Sequence, residues 1–150
     1  MNSCLKVFFI ADGVYPTGRL IVEKLSQIGH RVYFGIHPSQ SAVAMGTSVA
    51  TAMPLDLADD NSVALASTGL LKAERRIDTI VNNLRDPLFG ALEMVSPKAA
   101  EAHLNATLIG LVRLQNSFLP VMRAQNAGRI VTIMPRTNLE NASLRGWQRA

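Results

Sequence analysis

The stretch KVFFIADGVYPTG, residues 6–18, decides the fold of this chain. Its apolar run Val7–Ile10 is too short for a helix and consists of strand formers. It therefore predicts a strand buried on both faces, as in a parallel sheet. Four of the next residues favour turns and predict a loop. They are Asp12, Gly13, Pro16 and Gly18.

Gly18 begins a segment that is typical of a helix and ends at Gly29. Its apolar residues recur at helical spacing, and we expect them to face the core. They are Leu20, Ile21, Leu25 and Ile28. A strand, a glycine-bearing loop and a helix, in this order, begin a nucleotide-binding α/β unit. The functional question is whether this loop can still hold a nucleotide.

Four further apolar runs predict the remaining strands, at residues 32–36, 49–55, 77–81 and 129–134. Helices are expected at residues 62–75 and 97–126, with a short helix at 42–45 and a loop at 82–96. Regular alternation of strand and helix implies an α/β fold with a doubly wound parallel sheet and helices on both faces.

Local signals support the two longer helices. Asp59 and its neighbours precede the first and are expected to cap it, while Pro97 suits the first turn of the second. Pro120 is expected to kink that helix or to start a new turn. Three leucines are expected to line one stripe of it. They are Leu104, Leu108 and Leu111.

The composition is that of one soluble domain. The chain has 150 residues, 48% of them hydrophobic and 17% charged, which predicts a domain over residues 1–135 and a polar tail over 136–150. The net charge is +4, but the basic residues are scattered and aromatic residues are few. Nucleic acid is therefore an unlikely partner.

Cysteine, histidine and hydropathy patterns exclude other classes. Cys4 is the only cysteine, so no internal disulfide forms and a reducing cytoplasm is expected. The three histidines lack metal-ligand spacing with acids or cysteines, and no metal site is predicted. The apolar runs are far below the roughly 18 residues that a membrane span needs.

Four stretches, in order, resemble the short-chain dehydrogenase/reductase family over residues 6–135. GRLIVEKLSQIGHRV, from residue 18, is similar to the helix after the glycine loop. LDLADDNSV, from residue 55, is similar to the turn after the third strand, where the family contacts adenine through an aspartate matched here by Asp56. IDTIVNN, from residue 77, is similar to the fourth strand and half of the Asn-Asn-Ala-Gly motif. FLPVMRAQNAGRIVTI, from residue 118, is similar to the long helix and fifth strand.

The resemblance implies a Rossmann-like sheet of five strands in the order 3-2-1-4-5 and a dinucleotide cofactor, NADP or NAD. It also implies which positions would contact that cofactor. They are Gly13, Thr17, Gly18, His37, Asp56, Leu57, Asn82 and Arg85.

The glycine loop departs from the family pattern Thr-Gly-x-x-x-Gly-x-Gly, whose matching positions are Ala11, Asp12, Pro16 and Gly18. Only the last glycine is kept. A carboxylate repels a pyrophosphate and proline lacks a donor, so the loop is expected to be disabled for phosphate binding. Gly13 either restores some turn freedom one residue late or, with Gly18, serves only packing.

Two further positions remain open between a ligand role and a solvated surface role. His37 follows the second strand, where an acid would favour NAD; its absence slightly favours NADP, and a turn histidine is the alternative. Arg85 stands within the motif that reads Asn-Asn-Ala-Gly in the family, where it either reaches a phosphate or points to water.

The family's catalytic set is not matched, and no catalytic residue is predicted. Pro135 stands at the serine position and Thr107 at the helix asparagine. The tyrosine and lysine should follow the serine, yet the last tyrosine is Tyr33 and the last lysine is Lys98. Carbonyl reduction in this family needs an acid poised by that lysine.

Two functional hypotheses follow. The first is a pseudoenzyme, a dinucleotide-binding remnant or interaction protein without dehydrogenase activity of its own. The second is an NAD(P)-dependent oxidoreductase whose catalytic part lies outside this chain. In the family the sheet continues past strand five and another helix packs beside the long one, so we expect a homo-oligomer. It would form through the helix at 97–126 or the edge of strand five.

Overall fold

The structure, a computed structural model, describes residues 5–40, 50–83 and 92–134. Its strands are β1 (Val7–Ile10), β2 (Arg31–Ile36), β3 (Thr51–Pro54), β4 (Thr79–Asn83) and β5 (Arg129–Ile133). Its α-helices are α1 (Pro16–Gln27), α2 (Asp60–Glu74), α3 (Pro97–Leu104) and α4 (Gly110–Ala124). A 3₁₀ turn covers Leu92–Met94 and a π-helical turn covers Asn105–Ile109. The predicted helix at 42–45 and tail at 136–150 lie outside the described residues.

The strands form one parallel sheet in the order β3-β2-β1-β4-β5. β1 is central, with Phe9 opposite Tyr33 of β2 and Ile80 of β4. This confirms the predicted fold and strand order. Because parallel strands end at the same edge, the carboxyl ends of β1, β2, β3 and β4 lie together.

The core has two parts, one on each face of the sheet. On one face, Phe9 packs with Leu70 of α2 and Phe118 of α4, and the two phenyl centroids are 5.4 Å apart. On the other, Ile10 packs with Val22 of α1. All of these side chains are fully buried, and burying each contributes about 1.5–3 kcal/mol.

Helix α1 differs from its prediction in both its start and its buried face. It begins at Pro16, because proline has the backbone angle that a first helical residue needs. Leu20 and Ile28, expected in the core, are 55% and 65% exposed. The buried residues of α1 are Gly18, Val22 and Ser26. Gly18 faces the sheet because the helix approaches the loop after β1 very closely. Ile21 and Leu25 of the predicted set do pack against the core, so the apolar spacing was right for two of its four residues.

The predicted long helix is present, as α3, the π-helical turn and α4 in succession, but its three leucines do not share one environment. Leu111 is buried, whereas Leu104 and Leu108 are 40% and 58% exposed. A π-helical turn separates α3 from α4 and rotates the residues before it relative to those after it. Pro120 lies inside α4, which continues through it.

Strand β4 lies two residues later than predicted, because side chains from elsewhere pair with the segment before it. The Gln125 amide accepts from the Ile77 N–H at 3.0 Å and donates to the Ile77 carbonyl at 2.9 Å. The Asp78 carboxylate accepts from the Val7 N–H at 2.7 Å and pairs with Arg76. Asn82, predicted in the following loop, is therefore a strand residue.

The predicted helix caps are confirmed. Asp59 accepts from the N–H groups of Asn61 and Ser62 at 3.1 and 3.2 Å, so α2 starts two residues earlier than expected. Ser96 caps α3 by accepting from the Ala99 N–H at 3.2 Å, and a proline follows it in the first turn.

β5 forms one edge of the sheet, and its side chains are largely exposed. Ile130 and Val131 are 37% and 38% exposed, on opposite faces of the strand. In the described residues, β4 is the one strand that pairs with β5.

None of the helices in the described ranges is long and apolar enough to cross a bilayer.

Candidate functional site

A cavity of about 70 Å³ lies at the carboxyl edge of the sheet. Its wall combines residues at or just after the ends of the first four strands with the π-helical turn. The lining residues are Ala11, Asp12, Gly35, His37, Leu55, Asp56, Leu57, Asn83, Ala106 and Thr107. A ligand as long as a dinucleotide would lie across the edge with only part of it in this cavity.

The loop after β1 packs tightly against α1. A Cβ on Gly18 would lie 1.9 Å from the Asp12 carbonyl oxygen, far inside any allowed contact. The Asn83 amide donates to the same oxygen at 3.3 Å. Gly18 is therefore required for packing whether or not a ligand binds, in agreement with the packing interpretation of this residue.

Backbone amides of this loop bind groups within the protein. The Gly13 N–H donates to the Gly35 carbonyl at 3.3 Å, and the Val14 N–H donates to the Asp12 carboxylate at 3.3 Å. Asp12 is only 6% exposed. A carboxylate thus occupies the region where a phosphate-binding loop presents open N–H groups.

The start of α1 keeps part of an anion-binding arrangement. No side chain of Tyr15 caps it, and its first turn contains no acidic residue. Thr17 is exposed in this first turn. Pro16 has no N–H to offer, so the helix provides fewer donors than a glycine-rich start would.

Asp56 is held by its own loop. Its Oδ1 accepts from the Ala58 N–H at 2.9 Å, and its backbone N–H donates to the Ser62 hydroxyl at 2.8 Å. Its Oδ2 lies 3.7 Å from His37 Nε2, while His37 Nδ1 lies 2.6 Å from the Ser39 hydroxyl. The carboxylate is oriented but still 35% exposed, so it can accept a hydrogen bond from a ligand.

Arg113 connects two parts of the cavity wall. No motif or spacing predicted it as a residue of the site. Its guanidinium donates to the Leu57 carbonyl at 3.2 Å and to Asn105 Oδ1 at 2.8 Å, and it pairs with Asp60. It therefore ties the loop after β3 to the π-helical turn. That turn places Thr107 in the wall, whereas Asn105 contacts Arg113 instead.

The structure places the expected cofactor residues in different surroundings. His37, Asp56 and Leu57 line the cavity, and Gly13, Thr17 and Gly18 lie in the adjacent loop and helix start. Asn82 is fully buried and donates to the Thr132 hydroxyl at 3.2 Å; its neighbour Asn83, not predicted as a contact, lines the cavity instead. Arg85 and Pro135 lie outside the described residues.

The described ranges contain no group of three or more histidine, cysteine or acidic side chains that could hold a metal ion. The cavity wall offers hydrogen-bonding groups and apolar surface. Asp56 accepts, Asn83 and Thr107 both donate and accept, and Leu55 and Leu57 supply apolar surface.

This fold, with a cavity at the carboxyl edge where the strand order reverses, defines the class of doubly wound nucleotide-binding domains. The sequence pattern of the family described as short chain dehydrogenase matches residues 7–142. Since that match covers most of the chain, the protein belongs to the short-chain dehydrogenase/reductase family.

Relatives and solved structures agree with this assignment. A 3-ketodihydrosphingosine reductase of Bacteroides thetaiotaomicron is 27% identical over 85% of this chain and 46% of its own length. The mouse 17-beta-hydroxysteroid dehydrogenase type 1 is 35% identical over 53% of this chain and 22% of its own length. This chain thus spans half or less of these relatives.

The fold agrees as well. A short-chain dehydrogenase from Streptomyces avermitilis superposes with a TM-score of 0.77 at 25% identity, covering 88% of this chain and 50% of that one. A metagenomic short-chain oxidoreductase in complex with NADP gives a TM-score of 0.81 at 22% identity, covering 96% and 69%. The second likeness concerns the fold alone.

Proposed function

We propose that this chain is a Rossmann domain that binds an adenine-containing ligand at the carboxyl-edge cavity and performs no dehydrogenation by itself. The observation that carries this proposal is the contrast within the cavity wall. Asp56 and Leu57, at the positions that contact adenine in the family, remain accessible. The loop that would bind pyrophosphate is instead engaged with protein groups.

The adenine side has the required chemistry. The Ala58 N–H donates to one oxygen of Asp56, the other lies 3.7 Å from His37 Nε2, and the carboxylate is 35% exposed. An exocyclic amine is a donor that suits such an oxygen. Apolar surface from Leu55 and Leu57 suits the faces of a heterocycle, and Arg113 holds this loop in place.

The pyrophosphate side lacks the required chemistry, so a dinucleotide is expected to bind weakly. Of the two dinucleotides, NADP is the expected better ligand. The reason is that no carboxylate precedes His37 at the end of β2 to repel a 2′-phosphate.

The proposed lack of dehydrogenation rests on the sequence. Neither the serine nor the tyrosine and lysine of the family has a counterpart, since Pro135 stands at the first position and the only tyrosines are Tyr15 and Tyr33. Proton donation to a carbonyl by the family's route has no group to perform it.

A second candidate is an NAD(P)-dependent oxidoreductase completed by polypeptide outside this chain. The observation that favours it is the 46% share of the Bacteroides reductase that this chain covers. It predicts NADPH oxidation with carbonyl substrates once the missing part is supplied. The departures at Asp12 and Pro16 favour the first candidate, because they lie within the part that is present.

Adenosine binding tests the first candidate. Saturation-transfer NMR on the purified chain should show signal transfer to the adenine protons, and Asp56→Asn should weaken adenosine binding about tenfold through the lost charged acceptor. Asp59→Ser is the matched control, since it removes a carboxylate from the same segment and keeps a helix cap. Absence of transfer with the wild-type chain would contradict the proposal.

We further propose that the chain associates with itself through the long helix or the β5 edge. Leu104, Leu108 and Val112 are 40%, 58% and 48% exposed along one stretch of α3 and α4. An exposed apolar stripe and an unpaired edge strand are each typical contact surfaces.

Light scattering after size exclusion tests the association. Leu108→Lys should shift the chain towards a monomer, because a charge in an apolar contact costs binding free energy. Leu20→Lys is the control, since Leu20 is similarly exposed at 55% on a different helix. A wild-type chain that stays monomeric at high concentration would contradict self-association.

The compartment is also a proposal. Cys4 is the single cysteine of the chain, which supports a reducing environment such as the cytoplasm. Fractionation of cells that express a tagged chain tests this, and recovery in a secreted fraction would contradict it.

A further inference from the structure

We propose that Arg113 is a positioning residue for the carboxyl-edge cavity and holds two parts of the cavity wall in the arrangement that the ligand needs. The first part is the loop after β3, which supplies Asp56 and Leu57, and the second is the π-helical turn, which supplies Thr107. Arg113 does not line the cavity itself, so it acts through the groups that it binds. This inference rests on the proposed function, because it concerns the affinity of the same site for adenosine.

The Arg113 guanidinium reaches acceptors on both parts of the wall. Its Nη1 donates to the Leu57 carbonyl at 3.2 Å and to Asn105 Oδ1 at 2.8 Å. The same nitrogen lies 3.4 Å from the Asn105 carbonyl oxygen, and Nε pairs with Asp60 at the start of α2. The arginine side chain is only 21% exposed. Because hydrogen bonds from an ionised donor are roughly twice as strong as neutral ones, this side chain fixes the two segments relative to each other.

On the side of the loop, the bonds are made to the backbone of wall residues and their neighbour. Leu57, whose carbonyl binds Arg113, lines the cavity next to Asp56. The Asp56 carboxylate accepts from the Ala58 N–H at 2.9 Å, and the Ala58 carbonyl accepts from the Asn105 amide at 3.5 Å. The bonds to Leu57 and Ala58 therefore determine where the Asp56 carboxylate lies relative to the π-helical turn.

On the side of the helix, Arg113 supports the π-helical turn itself. The Gly110 N–H donates to the Asn105 carbonyl five residues earlier, which is the bond that defines a π-helical turn. Arg113 binds the side chain of Asn105 and approaches the same carbonyl. Thr107 lies within this turn and lines the cavity. Loss of the guanidinium therefore loosens the turn that places Thr107 in the wall.

The two parts of the wall meet at Gly110, where α4 begins. A Cβ on Gly110 would lie 2.6 Å from the Leu57 Cβ and 2.8 Å from the Leu57 carbonyl oxygen, so the helix packs directly against the loop. Arg113 follows three residues later, on the same side of the helix. The packing at Gly110 limits how closely the segments approach, and the bonds of Arg113 limit how far they separate.

Calorimetric titration of the whole chain with adenosine tests the inference. Arg113→Met keeps an unbranched apolar stem and removes every donor. We expect about tenfold weaker adenosine binding, because a displaced wall weakens the contacts of Asp56 and Thr107 together. A role in stability alone would lower the free energy of unfolding and leave the dissociation constant of the folded chain unchanged. Wild-type affinity in a folded Arg113→Met chain would overturn the proposal.

Asp60→Asn is the matched control, because it removes the ion pair and leaves the acceptors of Leu57 and Asn105 in place. The Asp60 side chain is 81% exposed, so we expect the adenosine affinity to stay within about twofold. A loss as large as that of Arg113→Met would assign the effect to the ion pair and overturn the proposal. If Arg113→Met does not fold, Arg113→Lys replaces it, with an expected loss of about threefold, since an ammonium lacks the planar fork that bridges several acceptors. An unchanged affinity in the lysine variant would also overturn the proposal.

Hydrogen exchange separates this inference from the proposed function. Arg113→Met should speed the exchange of the Gly110 and Ala58 amides about tenfold, because these N–H groups bind acceptors in the two segments that Arg113 holds. If the wild-type chain binds no adenosine, the proposed function fails, and faster exchange at both amides still supports the positioning role. Unchanged exchange at both amides overturns the positioning role, whether or not adenosine binds.

Discussion

Polar side chains at the amino ends of the strands bind backbone of other segments, whereas those at the carboxyl ends bind backbone of their own loops and also line a cavity. Before β4, Gln125 and Asp78 bind backbone groups of Ile77 and Val7. After β1 and β3, Asp12 and Asp56 face the cavity. The same parallel strands thus carry fold-stabilising polar groups at one edge and ligand-facing groups at the other.

The comparison explains which family features this chain has kept. Gly18 remains because a side chain there would collide with the Asp12 carbonyl. In the family the first glycine serves the tight turn and the second lets backbone approach a pyrophosphate; here these positions hold Asp12 and Pro16. The glycine that helix packing requires is kept, while the glycine that serves the approach of the ligand has changed.

Gly18→Ala should have the largest effect, since a Cβ at Gly18 would come within 1.9 Å of the Asp12 carbonyl oxygen. The added Cβ would meet backbone, so we expect a loss of about 3 kcal/mol in the free energy of unfolding. Urea denaturation followed by circular dichroism measures it. Gly69→Ala in α2 is the control, because the added Cβ meets only the flexible end of Met53 and should stabilise the helix by about 0.5–1 kcal/mol.

Asp78→Asn should cost about 1–2 kcal/mol at neutral pH. Burial raises the pKa of Asp78, but hydrogen bonds from Arg76 and from the Val7 N–H outweigh it, so the net pKa is lowered. Its stabilisation is therefore complete above the unfolded-state pKa of about 3.9 and is lost as the pH falls through the lower folded-state pKa. Urea denaturation across acidic pH should show the variant and wild-type chain converging; a constant difference would contradict the ion-pair account.

Tyr33→Phe should cost about 1 kcal/mol, because the hydroxyl lies 2.5 Å from the Glu74 carboxylate. Burial, and then the bond to Glu74, raise the pKa of Tyr33. The stabilisation is present below the unfolded-state pKa of about 10 and declines as the pH rises towards the folded-state value. Thermal melts above neutral pH should show the difference shrinking, and a difference that grows would count against this bond.

Asp56→Asn should have the smallest effect on stability, below about 0.5 kcal/mol, because the asparagine oxygen can still accept from the Ala58 N–H. The same variant should lose adenosine binding. Measuring the free energy of unfolding and the adenosine affinity on one preparation distinguishes a ligand-binding role of Asp56 from a fold-stabilising role. A large loss of stability would place Asp56 among the fold-stabilising groups instead.

Sequence patterns were sufficient for the sheet, because apolar runs and their alternation with helices fix a parallel topology. They were misleading for two residues of α1, since Leu20 and Ile28 are exposed while Gly18 packs against the loop after β1. The π-helical turn at Asn105–Ile109 changes which leucines face the core. No local sequence pattern predicts this turn.

The candidate site was predictable only as far as it follows single motifs. Asp56 and Leu57 were expected from the turn after the third strand, and they line the cavity. Arg113 and Asn83 were missed because their contacts join segments distant in sequence, such as Arg113 to Leu57 across 56 positions. Such contacts depend on tertiary packing and leave no spacing to detect.

The central claim is that the loop after β1 no longer holds a pyrophosphate. Calorimetric titration of the wild-type chain with NADPH and NADH tests it most directly. We expect dissociation constants of about 1 mM or weaker for both, equivalent to no more than about 4 kcal/mol of binding free energy. A dissociation constant on the order of 1 μM for either dinucleotide would contradict the claim and show that the loop still binds phosphate.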